Sequence, residues 1–408
     1  MIRAPVLLIS LALVQPASGQ EMRPTGPWKA DRFSRGDTLV VRTVSGSVWG
    51  DKVGLAEELR IGTKDGEGPD AFGEIRAFAL FPDGVMTVFD KSVPALRLFD
   101  PAGKYLRTLG RNGAGPGEYR NDALGLAVDR DGVLIMYDLR NARLNRWKET
   151  GTVLPAWSWI SRSVLYSFWN ALHVDTTGST YLLVASQSRE PGKDVKRGYA
   201  RFDRSGKLVD TLRQPAIEGP DELPGPFGPY KHWVLTRTGG AITGHSAVYS
   251  LTVAEPGLAA VRIERGAPRI ALQPDERKSW EDFFGARSRV PGAGAGAAPS
   301  GVPSSKPFYS QLHSDLDGRI WVQLYAKGEP FDPPTPSQRP GEPPRPPLPP
   351  WRERGVWDVF RRDGSYLGQL ELPWRTTFAE AKGDRVWTIQ QGEDDEQYIV
   401  RYRISPVR

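Results

Sequence analysis

Residues 75–90 read IRAFALFPDGVMTVFD, and residues 123–138 read ALGLAVDRDGVLIMYD. Each is a β-rich run, an Asp-Gly pair (Asp83-Gly84 or Asp131-Gly132) and a second run that ends on an aspartate, Asp90 or Asp138. Asp-Gly between two such runs is the chemistry of a tight hairpin, because glycine accepts the positive φ that the turn imposes. The pattern returns, with drift, around Thr177-Gly178, Gly239-Gly240, Asp317-Gly318 and Gly383-Asp384. Several copies carry a second half of strand, Gly turn and strand: Leu96 to Asp100, Gly103, then Tyr105 to Leu109; Tyr199 to Asp203, Gly206, then Leu208 to Leu212; Val356 to Arg361, Gly364, then Tyr366 to Leu370. Four strands per unit is the make-up of a propeller blade.

Counting the hairpin turns gives six units. The last is short, because nothing follows the strand Gln397 to Ile404 that could serve as its fourth strand. The stretch Leu55 to Gly62 ends Glu-Leu-Arg-Ile-Gly, echoes Leu106 to Gly110, and precedes the first unit. It is therefore expected to complete the last blade and so remove two open sheet edges. The strand Asp37 to Val44 is expected to join that same blade. The fold class expected is all-β: a six-bladed β-propeller with four antiparallel strands per blade, its ring closed by an N-terminal strand. Composition agrees, since 44 Gly and 36 Pro among 408 residues are too many turn formers for a helix bundle. The domain reading is a leader over 1–19, a flexible segment over 20–36, and one propeller over 37–408 with insertions at 285–305 and 330–350.

On these residues the chain resembles the NHL-type, TolB-like six-bladed propellers, and among them a bacterial secreted group named only for its six blades. The loop Leu109-Gly110-Arg111-Asn112-Gly113-Ala114-Gly115-Pro116-Gly117-Glu118-Tyr119 looks like that family's linker between blades, with a degenerate copy at Gly62 to Ile75. Asp138, Asn141 and Arg143 match its turn signature after the second strand, and Trp357-Asp358-Val359-Phe360 with Asp363-Gly364 is similar to its late blade. The resemblance spans roughly residues 37 to 404 and implies architecture, while one fold hosts many functions.

Arg3, an apolar stretch from Val6 to Val14 and the small residues Ala17-Ser18-Gly19 read as a secretory leader cleaved before Gln20. The apolar stretch is shorter than the roughly 20 residues that a spanning helix needs, and no later segment approaches that length. A net charge of +6 spread along the chain is no nucleic-acid footprint. With no cysteine, disulfides, thiol catalysis and thiolate-bound zinc are excluded. The expectation is a bacterial periplasmic or secreted monomer whose partner is an extracytoplasmic protein, peptide or saccharide, with no transmembrane span in the mature chain.

In a propeller, turns from first to second and third to fourth strands share one face, while second-to-third loops and blade links share the other. The irregular insertions choose the second face. They are the Pro-rich run 330 to 350, the Gly/Ala/Pro/Ser stretch 285 to 305 after a short helix Pro274 to Phe284, the loop Ser188 to Lys196, and the acidic Glu393-Asp394-Asp395-Glu396. Long loops gathered on one side mark a binding face, and Arg111, Asn112, Glu118 and Tyr119 join the acidic loop as candidates there.

Of four histidines, His173 and His313 each lie five residues before a hairpin glycine, and His232 lies seven before. Five and seven fall on one side of a strand, so all three are expected to face the central channel from blades three, four and five. Opposite them stand Ala77, Ala79, Gly125 and Ala127. Three imidazoles could hold a divalent metal, which makes a metal-assisted hydrolase or lyase the alternative function, with a metal-bound water as nucleophile. That reading requires the ring nitrogens to converge, whereas rings in separate blade interfaces would only pack. His245 stands where other blades have Asp90 and Asp138, which points to holding a turn. Asn170, Asn121 and Asp122 are the oxygen ligands nearest strand starts, but they form no calcium constellation. Gly239 to Ser246 lacks the lysine of a phosphate loop, Gly113, Gly115 and Gly117 lack the strand-to-helix setting of a dinucleotide fingerprint, and Gly244-His245-Ser246 lacks the last glycine of a nucleophile elbow. Trp157, Trp159 and Trp169 read mainly as packing between blades. The function expected is a secreted or periplasmic propeller that binds a ligand or protein on its long-loop face, with no cofactor assigned and no catalytic residue assigned.

Overall fold

The computed structural model describes residues 26–50, 53–120, 123–159, 172–186, 196–222, 225–287, 301–333 and 346–406. The leader, Asn121, Asp122, Trp169, Asn170, nearly all of the loop 188–196, and the middles of both large insertions lie outside these residues. Ile75–Leu80, Met86–Asp90, Ala95–Phe99 and Tyr105–Leu109 pair in that order as an antiparallel sheet, and this first blade is the template for the rest. Blade two runs Ala123–Val128, Val133–Asp138, Arg143–Lys148, Val153–Ser158; blade three, Leu172–Val174, Thr180–Ser186, Lys196–Phe202, Leu208–Arg213. Blade four is built on Lys231–Leu235, Ala241–His245, Ser250–Ala254 and Val261–Arg265, and blade five on Tyr309–Ser314, Ile320–Leu324, Gly355–Phe360 and Tyr366–Leu372. Blade six has Thr376–Lys382, Arg385–Gln391 and Gln397–Pro406, and its fourth strand is Val53–Ile61.

The turns follow the residues that announce them. Gly84 has φ +95° and Gly132 has φ +71°, the left-handed region where a side chain is strained. In blade two, Asp129 Oδ1 accepts from Asp131 N at 2.9 Å and Val133 N at 2.8 Å, tying the hairpin to its own strand. In blades one and two the second strands, Met86–Asp90 and Val133–Asp138, are buried along their whole length, because the neighbouring blades cover both of their faces. The outer strand Tyr105–Leu109 is exposed except at Leu109. Apolar cores therefore sit between blades: Phe89, Leu98, Met136 and Trp147 join blades one and two, and Trp357, Leu370, Phe378 and Val386 join five and six. Each large apolar side chain so buried contributes about 1.5–3 kcal/mol.

The ring closes as the sequence predicts, with Val53–Ile61 antiparallel to Gln397–Pro406 in the register Ile61 to Ile399 and Val53 to Pro406. The strand before it goes elsewhere. Thr38–Ser45 does not join the last blade but runs parallel to Val261–Arg265 of blade four, and Lys29–Arg35, expected within a flexible segment, pairs antiparallel outside it. Blade four is thus six-stranded. The reason is burial: Val40 and Val41 are fully covered there, with Val41 against the turn glycine Gly364 of blade five. Next, Val48 N and Trp49 N donate to Tyr366 O and Leu367 O of blade five at 3.1 and 2.7 Å, before the chain reaches blade six. The N-terminal segment is a strap over blades four, five and six.

Buried aspartates fasten the blades to their links. Asp90 accepts from Gly73 N, Glu74 N and Ser92 N and from Arg97 Nη1 at 3.3 Å; Asp138 accepts from Arg120 N, Asn141 N and Asn141 Nδ2. Asp358 joins two blades: it accepts from Arg265 Nη1 at 2.7 Å, Tyr366 Oη at 2.7 Å, Gln369 Nε2 at 3.2 Å and Tyr249 Oη. Asp358→Ala leaves Arg265 buried without its counter-charge and should cost about 3–5 kcal/mol. Asp100→Ala, which removes an exposed turn acceptor for Ala102 N and Lys104 N, should cost about 1 kcal/mol. Urea unfolding of the two variants checks the difference.

Candidate functional site

The six innermost strands enclose a channel of about 650 Å³. His173, His232 and His313 all line it, as their spacing predicts, but the channel does not bring them together. His173 Nε2 donates to Thr236 O of blade four at 2.9 Å. The His232 ring lies 4.9 Å from the Tyr309 ring of blade five, and its Nε2 has no hydrogen-bond partner. His313 Nε2 donates to Gln311 Oε1 at 3.1 Å, and the ring packs 5.1 Å from Phe378 of blade six. Each imidazole belongs to its own blade boundary. Among the described residues, no group of three or more His, Asp or Glu side chains is placed to hold a metal ion. The metal-assisted hydrolase reading therefore loses the ligand set on which it rested. His245, as expected, holds a turn: Nε2 donates to Pro220 O at 2.9 Å and Nδ1 accepts from Ala247 N at 3.1 Å.

The channel has charged groups that the sequence reading missed. Glu380, Arg237 and Arg197 line it together with Tyr199. Glu380 lies three residues before its hairpin glycine, where blades two, three and five have Asp129, Asp175 and Asp315. Those aspartates cap their turns; Asp175 accepts from Thr177 N and Ser179 N, and Asp315 from Asp317 N and Arg319 N. Blade six turns more tightly, pairing Lys382 with Arg385, and its register slips between Phe378 and Glu380, so Glu380 caps no turn of its own and accepts from Ala381 N at 2.9 Å and from the Leu316 backbone. An acid in place of the capping aspartate, before a shorter turn, was the available signal.

Titration of these groups follows from crowding. Heavy atoms close round the imidazoles although they face the channel, and this burial pushes His173, His232 and His313 each down to about 4, with the Arg237 charge adding to the effect at His173. Burial likewise pushes Glu380 up to about 8, helped by the negative charge of Asp315. At neutral pH the three imidazoles are uncharged, and Glu380 is largely protonated.

On the long-loop face, two insertions join into one lobe. The helix Pro274–Arg287 begins with Asp275 and Glu276 and ends with Arg287, a charge order that suits its dipole. Lys306 Nζ is enclosed between Glu276 Oε1 at 2.6 Å and Glu353 Oε1 at 2.9 Å, over the Phe227 ring at 4.9 Å. Trp351 Nε1 donates to Ser279 Oγ at 3.3 Å, linking the blade-five loop to the helix.

The remaining candidates fall unevenly. Tyr119 is fully buried: its hydroxyl donates to Leu109 O and accepts from Leu96 N, both at 2.9 Å, so it is a core residue that cannot meet a ligand. Glu118 accepts from Arg111 Nε and from Gly115 N, both at 2.7 Å, and these residues shape the linker; Asn112 is exposed beside them. In the acidic loop Asp394 pairs with Lys64, Asp395 pairs with Arg375, and Glu396 accepts from Asp394 N at 2.9 Å. Glu393 stays exposed. The loop is held by ion pairs to neighbouring links.

With this geometry in hand, comparison with known proteins shows the architecture. The chain is similar to a member of the DUF4221 family from Bacteroides vulgatus, with a TM-score of 0.52 and 12% identity over 87% of this chain and 99% of that one. A Bacteroides fragilis protein thought to be exported matches at TM-score 0.47 and 10% identity over 86% and 95%, and virginiamycin B lyase from Staphylococcus aureus at 0.40 and 9% over 86% and 99%. At such identities the likeness shows the fold alone. No family profile and no curated protein matches the chain, and no described helix is long and apolar enough to cross a membrane.

The channel groups set opposite pH dependences. A histidine held at about 4 refuses a proton that the unfolded chain takes up near 6.5, so stability falls as pH drops from about 6.5 towards 4. Replacing all three with Gln should flatten that acid limb in thermal melts. Glu380, held at about 8 against 4.5 unfolded, contributes most at low pH and loses that contribution as pH rises through 8. Glu380→Gln should therefore raise Tm more at pH 9 than at pH 5.

Proposed function

We propose that the mature chain is an extracytoplasmic propeller that binds a ligand or protein on its long-loop face. The observation that carries this is Trp374, in the link from blade five to six. Trp374 is 43% exposed, with the Phe331 ring edge-on at 5.4 Å and the Arg352 guanidinium 5.4 Å from its ring. A large exposed aromatic flanked by an arginine is the surface that partners bury first.

The backbone beneath it supports a presenting role. Arg375 has φ +56° and Asp395 has φ +67°, left-handed conformations that cost a non-glycine residue about 1–3 kcal/mol. They hold each other by their ion pair, while Gln391 N donates to Arg375 O at 2.9 Å and Gln391 Nε2 to Asp395 Oδ1 at 2.8 Å. The acidic loop thereby fixes the link that displays Trp374. Location rests on the leader reading of residues 1–19.

Peptide and glycan arrays probed with the mature chain and with Trp374→Ala test the site. The variant should lose at least tenfold in signal on the ligands the wild type retains, with Tm unchanged; identical profiles would remove the proposal's support. Expression in a bacterium should yield a periplasmic or secreted chain beginning at Gln20, read by N-terminal sequencing. A cytoplasmic chain that keeps Met1 would refute the location.

A further inference from the structure

The opposite face, where the hairpin turns gather, has a hollow of about 590 Å³ between blades four and five, within the usual range for small-ligand sites. Its wall is apolar: Val253 lies buried behind half-buried Val261 and exposed Ala259, and Leu258 leaves 70% of its surface to water. Its rim carries three arginines and three carboxylates, and the two kinds of charge are not equally satisfied.

The carboxylates have partners. Glu255 Oε2 accepts from Thr236 Oγ1 at 2.8 Å and from Thr238; Asp317 Oδ2 accepts from Gly383 N at 2.6 Å; Asp363 Oδ1 accepts from Ser365 N at 2.9 Å. The arginines have donors to spare. Among the described residues the exposed Arg361 guanidinium makes no hydrogen bond, although its charge acts on Asp363. Among the same residues the Arg362 guanidinium reaches Glu255 Oε1 alone, at 3.5 Å. Arg319 uses Nε and Nη1 on Asp315 Oδ2 and Gly383 O, both at 2.6 Å, while Nη2 is buried without a hydrogen bond, 3.3 Å from Asp317 Oδ2. Arg319 also lines a second hollow of about 260 Å³ between blades five and six. Spare guanidinium donors beside an uncovered apolar wall match a molecule with an anionic head and an apolar body, since planar forks pair well with carboxylate or phosphate oxygens.

We infer that this hollow binds an amphipathic anion, its apolar chain on Leu258, Ala259 and Val261 and its head held by Arg361 and Arg362. This site is independent of the long-loop face. The test is isothermal titration of the mature chain with decanoate, decyl phosphate and decan-1-ol, each below its aggregation limit. At least one of the two anions should saturate at one per chain, and the alcohol should bind at least tenfold more weakly; the tighter anion identifies the head group. The Arg361→Gln/Arg362→Gln variant, altered only at exposed side chains, should weaken the anion at least tenfold with Tm unchanged. Leu258→Asp should do the same, and Trp374→Ala should change nothing. No saturable binding, equal affinity for the alcohol, or unaltered affinity in both hollow variants would overturn the inference.

Discussion

A blade whose second strand is apolar on both faces has no stable existence alone. Met86–Asp90 and Val133–Asp138 need a neighbour on each side, and those neighbours need theirs, so the demand ends only when the sheet array returns to its beginning. Pairing Val53–Ile61 with Gln397–Pro406 meets that demand. The channel, the gathering of hairpin turns on one face and the gathering of long loops on the other all follow from the closed ring. Buried charge serves the same end. Asp90, Asp138 and Asp358 hold links and blades in register, and Lys306 holds the inserted lobe.

What the sequence reveals is what repeats. Turns such as Asp131-Gly132 encode themselves locally, so blade number, strand order and closure can be read before any coordinates. A strand's partner is not encoded in the strand. Thr38–Ser45 has the same alternation whether it extends blade four or blade six, and only the burial of Val40 and Val41, the latter against Gly364 of blade five, decides between them. Period-two spacing correctly turns the histidines toward the channel. It is silent on distance across the ring, and at that distance His173, His232 and His313 part company.

Two site residues show the limits of local pattern from opposite directions. Tyr119 sits in a glycine-rich linker, where an aromatic reads as a surface feature, yet its ring is enclosed with Phe89 and Trp147 and its hydroxyl bridges two backbone groups. Glu380 sits where a turn-capping acid is ordinary, yet a register slip and a shorter turn leave it in the channel, largely protonated at neutral pH. Trp374 was equally hidden, because its exposure depends on the left-handed turn that the acidic loop holds.

The strap also imposes an order in time. The strands Thr38–Ser45 and Val53–Ile61 leave the ribosome early, but their partners Val261–Arg265 and Gln397–Pro406 come from the middle and the very end of the chain. Until the last of these appears, the early strands keep open hydrogen-bonding edges, and the apolar faces at the two ends of the growing array stay wet. The growing chain must therefore be kept apart from its copies until its last strand is made. The charged side chains Lys29, Asp31, Arg32 and Arg35 on the outermost strand suit such a wait, since they discourage pairing with the wrong edge.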